Sequence, residues 1–101
     1  MAKRTVQKRE VPKFLCNVPE EYAFRFHDGR LLKNMRELEE ALRAISDETF
    51  RFHANAEKND FGNWVRDVIG DQKLAADLMN APTRLQAADS VTARIASLKG
   101  R

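Results

Sequence analysis

The fold of this chain is decided by residues 45–78, which read ISDETFRFHANAEKNDFGNWVRDVIGDQKLAADL. Within them, the spacing i, i+3, i+4, i+7, i+8 predicts a helix with one face in the core. The residues at this spacing are Phe61, Trp64, Val65, Val68 and Ile69. Gly70 follows directly and predicts a left-handed end to the helix. This stretch is therefore expected to supply the centre of the core.

Polar residues in the same stretch mark helix boundaries. Ser46, Asp60 and Asp71 each precede an apolar pattern, which predicts that they are helix N-caps. The first of these helices is expected to fray over residues 55–59, which are mostly polar and small. Its buried face is predicted to carry Phe50, His53 and Ala54.

A β-hairpin is predicted before the helices. Tyr22, Phe24 and Phe26 alternate with other residues, which is the period of a half-buried strand. The Asp28-Gly29 pair that follows favours a tight type I′ turn with a two-residue loop. In that register Phe26 faces Leu31, so these two side chains are expected to share a face.

The segment before the hairpin is bracketed by Pro12 and Pro19, each of which favours extended geometry in the residue before it. It is expected to lie on the core as an extended segment or an edge strand, with three apolar contacts: Phe14, Leu15 and Val18.

Further helices are predicted on both sides of the central stretch. Asn34 with Glu37, and Thr83 with Gln86, resemble capping boxes. Three apolar stripes are expected to face the core: Met35, Leu38, Leu42 and Ile45; Leu74, Ala75, Leu78 and Met79; and Leu85, Ala88, Val91, Ile95 and Leu98. Since the strands precede a run of helices, the predicted fold is α+β, an N-terminal β-hairpin packed on a compact bundle of about five short helices.

Composition narrows the class of protein. Of the 101 residues, 33% are charged and 43% are apolar, a balance typical of soluble domains. No apolar run is long enough for a transmembrane helix, and no signal peptide is visible, so no membrane partner is expected. The single cysteine, Cys16, cannot form an internal disulfide, which favours a cytoplasmic location.

The positive charge is concentrated at the N-terminus. Residues 1–13 hold five basic residues and one acidic residue, whereas residues 14–101 carry a net charge of −1. We therefore predict a basic flexible arm at residues 1–13 and a single globular domain at residues 14–101. Such arms often bind nucleic acid or another anionic surface. A solvated terminus without a partner is the simpler alternative.

The central motif resembles a family of small prokaryotic domains of unknown function. In that family a strand ending in Asp-Gly precedes a core similar to sDEtFxxHxNxxkNDFxxWvxdvxGDxxLA. The resemblance covers about residues 24–78, at Asp28, Gly29, Phe50, His53, Asn59, Asp60, Phe61, Trp64, Gly70 and Asp71. It implies the same small α+β architecture, and it brings no established activity to these positions.

A candidate pocket is predicted in the same stretch, from His53, Asn55, Asp60, Gly62, Asn63 and Trp64. A histidine near a carboxylate can act as a general acid/base pair. If the chain folds back on itself after the first helix, His53 comes close to Asp60. The structural alternative is that Asp60 caps a helix while His53 bonds across the helix corner. Gly62, in the first turn of a helix, suggests close approach by another helix or a ligand.

Other chemistry has weaker support. The possible metal ligands (Cys16, His27, Asp28, His53 and Asp60) lack the spacing of known sites, so no metal is expected. No nucleophile motif or phosphate loop is present, and no catalytic residue or cofactor is predicted. Helices joined at Gly70 resemble a helix-turn-helix, but the second helix has too few basic residues for a DNA groove.

The leading functional prediction is a non-enzymatic binding or adaptor module that engages RNA or a ribosomal surface. The predicted anion-binding residues are Lys3, Arg4, Lys8, Arg9, Lys13, Arg25 and Arg30, the last two on the outer face of the hairpin. One alternative is a regulatory domain, with a homodimer or a partner helix docking on the stripe at residues 85–98. Another is a small ligand-binding or enzymatic domain around His53 and Asp60.

Overall fold

The computed structural model describes residues 13–26 and 29–99, and it confirms the predicted α+β fold. A two-stranded antiparallel hairpin is followed by five helices. The strands are β1 (Phe24–Arg25) and β2 (Leu31–Leu32), and two short 3₁₀ helices, Lys13–Leu15 and Glu20–Tyr22, precede them. The helices are α1 (Met35–Ala44), α2 (Asp47–His53), α3 (Asp60–Trp64), α4 (Gln72–Met79) and α5 (Arg84–Lys99). Apart from Lys13, the predicted basic arm lies outside the described residues, as do His27 and Asp28.

The hairpin register differs by one residue from the prediction. Phe24 pairs with Leu32, and Arg25 pairs with Leu31. The Phe26 amide donates to the Arg30 carbonyl at 2.8 Å, which leaves three residues in the loop rather than two. Three-residue loops commonly end in a left-handed glycine, and Gly29 has a φ of 95°. The prediction that Phe26 and Leu31 share a face was therefore wrong.

The segment before β1 is not a strand. Phe14 and Leu15 lie in the first 3₁₀ helix, and Tyr22 lies in the second with 55% of its surface exposed. Pro19 starts the second turn, since its carbonyl accepts a hydrogen bond from the Tyr22 amide at 2.8 Å. The packing prediction is confirmed, because Phe14, Leu15 and Val18 lie partly buried against the core.

Four of the predicted N-caps are confirmed, since each accepts a hydrogen bond from the amide three residues later: Asn34, Ser46, Asp71 and Thr83. The Asn34 Oδ1 accepts from the Glu37 amide at 2.8 Å and begins α1. The Ser46 Oγ accepts from the Thr49 amide at 3.0 Å and begins α2. The predicted stripe of α1 is buried throughout: Met35, Leu38, Leu42 and Ile45.

The predicted helix at residues 61–69 consists of two parts. α3 begins one residue earlier than expected, because Asn59 rather than Asp60 is its N-cap and accepts from the Gly62 amide at 2.9 Å. After Trp64 the helix widens into a π-helical segment, Val65–Ile69. The Gly70 amide donates to the Val65 carbonyl at 2.7 Å, and its φ of 91° confirms the left-handed end.

The C-terminal helix keeps most of the predicted stripe on the core, since Ala88, Val91 and Ile95 are buried and Leu98 is partly buried against it. Its buried residues are Ala87, Ala88, Val91 and Ile95, whereas Leu85 is 50% exposed. At the start of this helix, Arg84 Nη1 donates to the Leu42 and Arg43 carbonyls at 3.0 and 2.9 Å. These bonds satisfy open carbonyls at the end of α1. On α4, Met79 is 41% exposed rather than fully inward.

A buried ion pair joins α4 to α5. Asp71 is 1% exposed, and its Oδ1 accepts from the Leu74 amide at 3.1 Å as the predicted cap. The other oxygen, Oδ2, accepts from Arg94 Nε at 2.7 Å. Only 19% of the Arg94 side chain is exposed, so both charges are largely withdrawn from water. Sequence patterns did not single out Arg94.

The first prediction concerns this ion pair. Replacing Arg94→Met leaves the Asp71 carboxylate buried without its cation, so we expect a loss of about 3–5 kcal/mol in unfolding free energy. Adding Asp71→Asn keeps the cap and removes the charge, so the double variant is expected to regain most of this loss. Urea unfolding measures both.

The matched control is Arg66→Met, which breaks an exposed pair with Asp67. It is expected to change stability by less than about 1 kcal/mol. Equal stability losses for the Arg94 and Arg66 variants would contradict the structural role of the buried pair.

Candidate functional site

His53 and Asp60 meet across the corner between α2 and α3. His53 is the last residue of α2, Asp60 is the first of α3, and an isolated bridge between Ala54 and Asn59 folds the chain back. The His53 Nδ1 lies 3.0 Å from the Asp60 Oδ2. The carboxylate therefore faces the imidazole and does not cap the helix, which corrects that prediction.

The loop between them is held by one asparagine. The Asn55 Oδ1 accepts from the Glu57 amide at 2.9 Å and from the Lys58 amide at 3.3 Å. Its Nδ2 donates to the Arg51 carbonyl at 2.9 Å, which closes the end of α2. Asparagine is favoured in such turns because its side chain replaces backbone partners. The expectation that residues 55–59 fray was wrong.

Aromatic rings enclose the imidazole of His53. The ring is 4% exposed, with Phe24 and Phe26 at centroid distances of 5.3 Å and Phe61 at 5.6 Å. The Asp60 side chain is 32% exposed and also receives Lys58 Nζ at 3.1 Å. Solvent therefore reaches the carboxylate much more readily than the imidazole.

The other predicted pocket residues have separate positions. Trp64 is 7% exposed, and its Nε1 donates to the Tyr22 carbonyl at 2.8 Å, which ties α3 to the 3₁₀ helix directly before the hairpin. A Cβ added at Gly62 would lie 2.7 Å from Met79 Cε, so glycine allows α4 to approach α3 closely. Asn63 is half-buried, and its side chain has no hydrogen-bond partner among the described residues.

A groove of about 560 Å³ opens beside this corner. Its floor includes Phe50 and Ala54, and Met79 lies on the other side. Of the predicted pocket residues only Asn55 lines it, so His53, Asp60, Gly62, Asn63 and Trp64 lie elsewhere in the fold. The complete lining is Phe50, Arg51, Ala54, Asn55, Ala56, Asn59, Met79, Asn80, Ala81 and Pro82. Met79 was missed because its apolar side chain fits a buried stripe equally well.

The two arginines of the hairpin do not form one patch. Arg25 is exposed and pairs with Leu31, whereas Arg30 is opposite Phe26 on the other face. The Arg30 guanidinium lies 5.5 Å from the centroid of the Phe26 ring, a cation–π contact. The predicted shared outer face was therefore wrong. The remaining anion-binding candidates lie outside what the structure describes: Lys3, Arg4, Lys8, Arg9 and the side chain of Lys13.

Two exposed ion pairs on other surfaces shift the pKa values of their members. A hydrogen bond from Arg66 lowers the pKa of Asp67, and the same pair raises the pKa of Arg66. On α1, the hydrogen bond to Asp89 raises the pKa of Arg43. The hydrogen bonds favour the charged forms of these three surface groups.

Within residues 13–26 and 29–99 there is no group of three His, Cys, Asp or Glu residues placed to hold a metal ion. None of the described helices is long and apolar enough to cross a membrane. Cys16, the one cysteine of the sequence, is exposed.

Comparison of the chain with protein-family models, with curated proteins and with solved structures found no match. The resemblance at residues 24–78 therefore stays a prediction that rests on its motif residues.

The second prediction distinguishes packing from hydrogen bonding at His53. Replacing His53→Ala opens a cavity among aromatic rings, so we expect a loss of about 3 kcal/mol in unfolding free energy. His53→Phe fills the same space, and Asp60 retains water and Lys58, so the expected loss is only about 1 kcal/mol. Chemical denaturation of both variants provides the measurement.

Phe52→Ala serves as the control, because the Phe52 side chain is 53% exposed on the same helix. Its expected cost is below about 1 kcal/mol. If His53→Phe were as damaging as His53→Ala, the bond to Asp60 would outweigh ring packing.

Proposed function

We propose that this protein is a non-enzymatic binding module, an adaptor whose basic N-terminal arm engages RNA or a ribosomal surface. The observation that carries the proposal is the separation of charge. Five basic residues fall within residues 1–13, while residues 14–101 carry a net charge of −1. The cation density of the arm is therefore far above that of the folded part.

Counterion release is the physical basis of this proposal. A cationic segment that neutralises phosphates frees condensed counterions, so binding weakens as salt rises. This mode needs charge and little sequence specificity, which an arm supplies without a shaped pocket. The proposal therefore places RNA contact outside the helical core.

The enclosure of His53 supports a non-enzymatic role. General acid/base catalysis requires a proton-transferring atom within hydrogen-bond reach of the substrate. The imidazole is 4% exposed and surrounded by rings, and it does not line the groove beside it. The pair with Asp60 instead fixes the corner between α2 and α3.

The packing of α5 argues against docking of a partner helix or a second copy on its apolar stripe. Ala88, Val91 and Ile95 are buried within the core, with α1 as the main neighbour of α5. A partner helix on this stripe would have to displace α1. Of the stripe, Leu85 alone is exposed, with 50% of its surface open to solvent, which would be a small contact.

The third prediction tests the arm in the full-length chain. Neutralising Lys3, Arg4, Lys8 and Arg9 to glutamine is expected to weaken binding to a single-stranded RNA of mixed sequence at least tenfold. The reason is that each lost phosphate contact removes about 0.7 from the slope of log K against log salt. Filter binding across a salt series measures affinity and slope together.

A matched variant neutralises four exposed cations of the folded part: Arg36, Arg51, Arg66 and Lys73. It removes the same charge and is expected to change affinity by less than about threefold, since scattered charges form no continuous path for a phosphate backbone. Equal effects from both variants, or RNA binding that does not depend on salt, would remove the arm proposal.

A further inference from the structure

The outer edge of β2 has unpaired main-chain groups. In an antiparallel pair, hydrogen-bonded and non-hydrogen-bonded residue pairs alternate. Phe26 and Arg30 are a hydrogen-bonded pair, so the next pair, Arg25 with Leu31, is not. The amide and carbonyl of Leu31 therefore point away from β1. Neither has a hydrogen-bond partner among the described residues.

One neighbouring position on this edge is already used by the chain itself. The Val18 amide donates to the Lys33 carbonyl at 2.8 Å. Lys33 is two residues after Leu31, so its carbonyl points to the same side of the strand. The edge thus accepts a backbone partner at Lys33 and leaves the adjoining position at Leu31 open.

A groove of about 290 Å³ runs between this edge and α1. Its floor includes Leu32 and Ala41, both buried, and Ala44 lies further along the helix. Alanines on the helix leave room for a side chain from an added strand. The complete lining is Arg30, Leu31, Leu32, Glu37, Glu40, Ala41 and Ala44.

The rim of the groove has free negative charge. Glu40 is exposed and has no hydrogen bond or ion pair with the described residues. The Glu37 Oε1 accepts from the Lys33 amide at 2.8 Å, and no described partner contacts its Oε2. The one cation of the lining, Arg30, lies over the Phe26 ring. Carboxylates on one side of an extended groove favour a lysine or arginine in the occupant.

We propose that β2 and α1 form a docking site for an extended basic peptide of a partner protein, which adds a strand at Leu31. Its backbone pairs with the Leu31 amide and carbonyl, as in strand addition to a sheet edge. One small apolar side chain lies over Ala41 and Ala44. A flanking lysine or arginine meets Glu40.

The probe for this site is the peptide acetyl-Lys-Thr-Val-Thr-Lys-amide, titrated into the full-length protein and followed by amide NMR. The expected result is a saturable shift of the Leu31 amide and slower hydrogen exchange there. A peptide N-methylated at alternate residues keeps the side chains and loses the donors, so its binding is expected to be lost. Replacing both lysines with glutamate is expected to weaken binding about tenfold, since attraction to the carboxylates of the rim becomes repulsion.

Three variants locate the site. Leu31→Pro removes the outward amide without breaking the hairpin ladder, and proline is tolerated on such edges. Arg25→Pro makes the same change on the opposite edge and is the matched control. Ala44→Arg fills the groove from the helix and leaves both strands untouched. The Leu31 and Ala44 variants are expected to weaken binding at least tenfold, while the Arg25 variant retains it; the spectra themselves report whether each variant is folded.

Four outcomes would overturn the proposal. The first is that the Leu31 amide does not respond to millimolar peptide. The second is that Arg25→Pro weakens binding as much as Leu31→Pro. The third is a Leu31 signal that changes with protein concentration while the protein sediments as a dimer, which would assign the edge to a second copy. The fourth is that the Leu31 amide is protected from hydrogen exchange without peptide and loses this protection when Lys3, Arg4, Lys8 and Arg9 are neutralised. This result would assign the edge to the chain's own arm.

Discussion

The ring of Phe61 lies between the hairpin and α2 and contacts both. It stacks on Phe24 of the hairpin at a centroid distance of 5.0 Å and on Phe50 of α2 at 5.6 Å, with interplanar angles of 12° and 9°. Phe61 itself belongs to α3, so one side chain joins three elements. A two-stranded hairpin is only marginally stable alone. The stack, with Trp64 bonded to the Tyr22 carbonyl, provides the surface on which this hairpin is ordered.

The polar residues between α2 and α3 stabilise the chain reversal that this stack requires. Phe50 and Phe61 can meet only if the chain reverses within a few residues. Asn55 closes the loop, Asn59 begins α3 and donates to the Leu78 carbonyl at 3.0 Å, and His53 bonds to Asp60. The bonds of His53 and Asn59 satisfy polar groups that the reversal partly removes from water. Most residues of this polar run thus have a structural role.

The features that sequence predicted correctly depend on short-range physics. Asn34 and Ser46 cap helices because their side chains reach amides three residues away, whatever the rest of the fold does. The choice between Asn59 and Asp60 was missed because both are good caps, and the contact of Asn59 with Leu78 decides between them. The hairpin register was missed by one residue since an Asp-Gly pair also suits a three-residue loop. Arg94 has no local signal, because its partner Asp71 is 23 residues away.

The distribution of unsatisfied groups indicates where binding belongs in this molecule. The apolar faces of α1 and α5 cover each other, Arg84 closes the end of α1, and Arg94 neutralises Asp71. By contrast, β2 leaves a main-chain donor and acceptor at Leu31, beside a carboxylate with no described partner. The basic arm precedes the same part of the chain. Polar groups that are hydrogen-bonded to water in the free protein can exchange that water for a partner at little cost, since no internal contact must first be broken. Recognition is therefore expected of the hairpin and the arm, on a helical core whose own polar groups are largely paired.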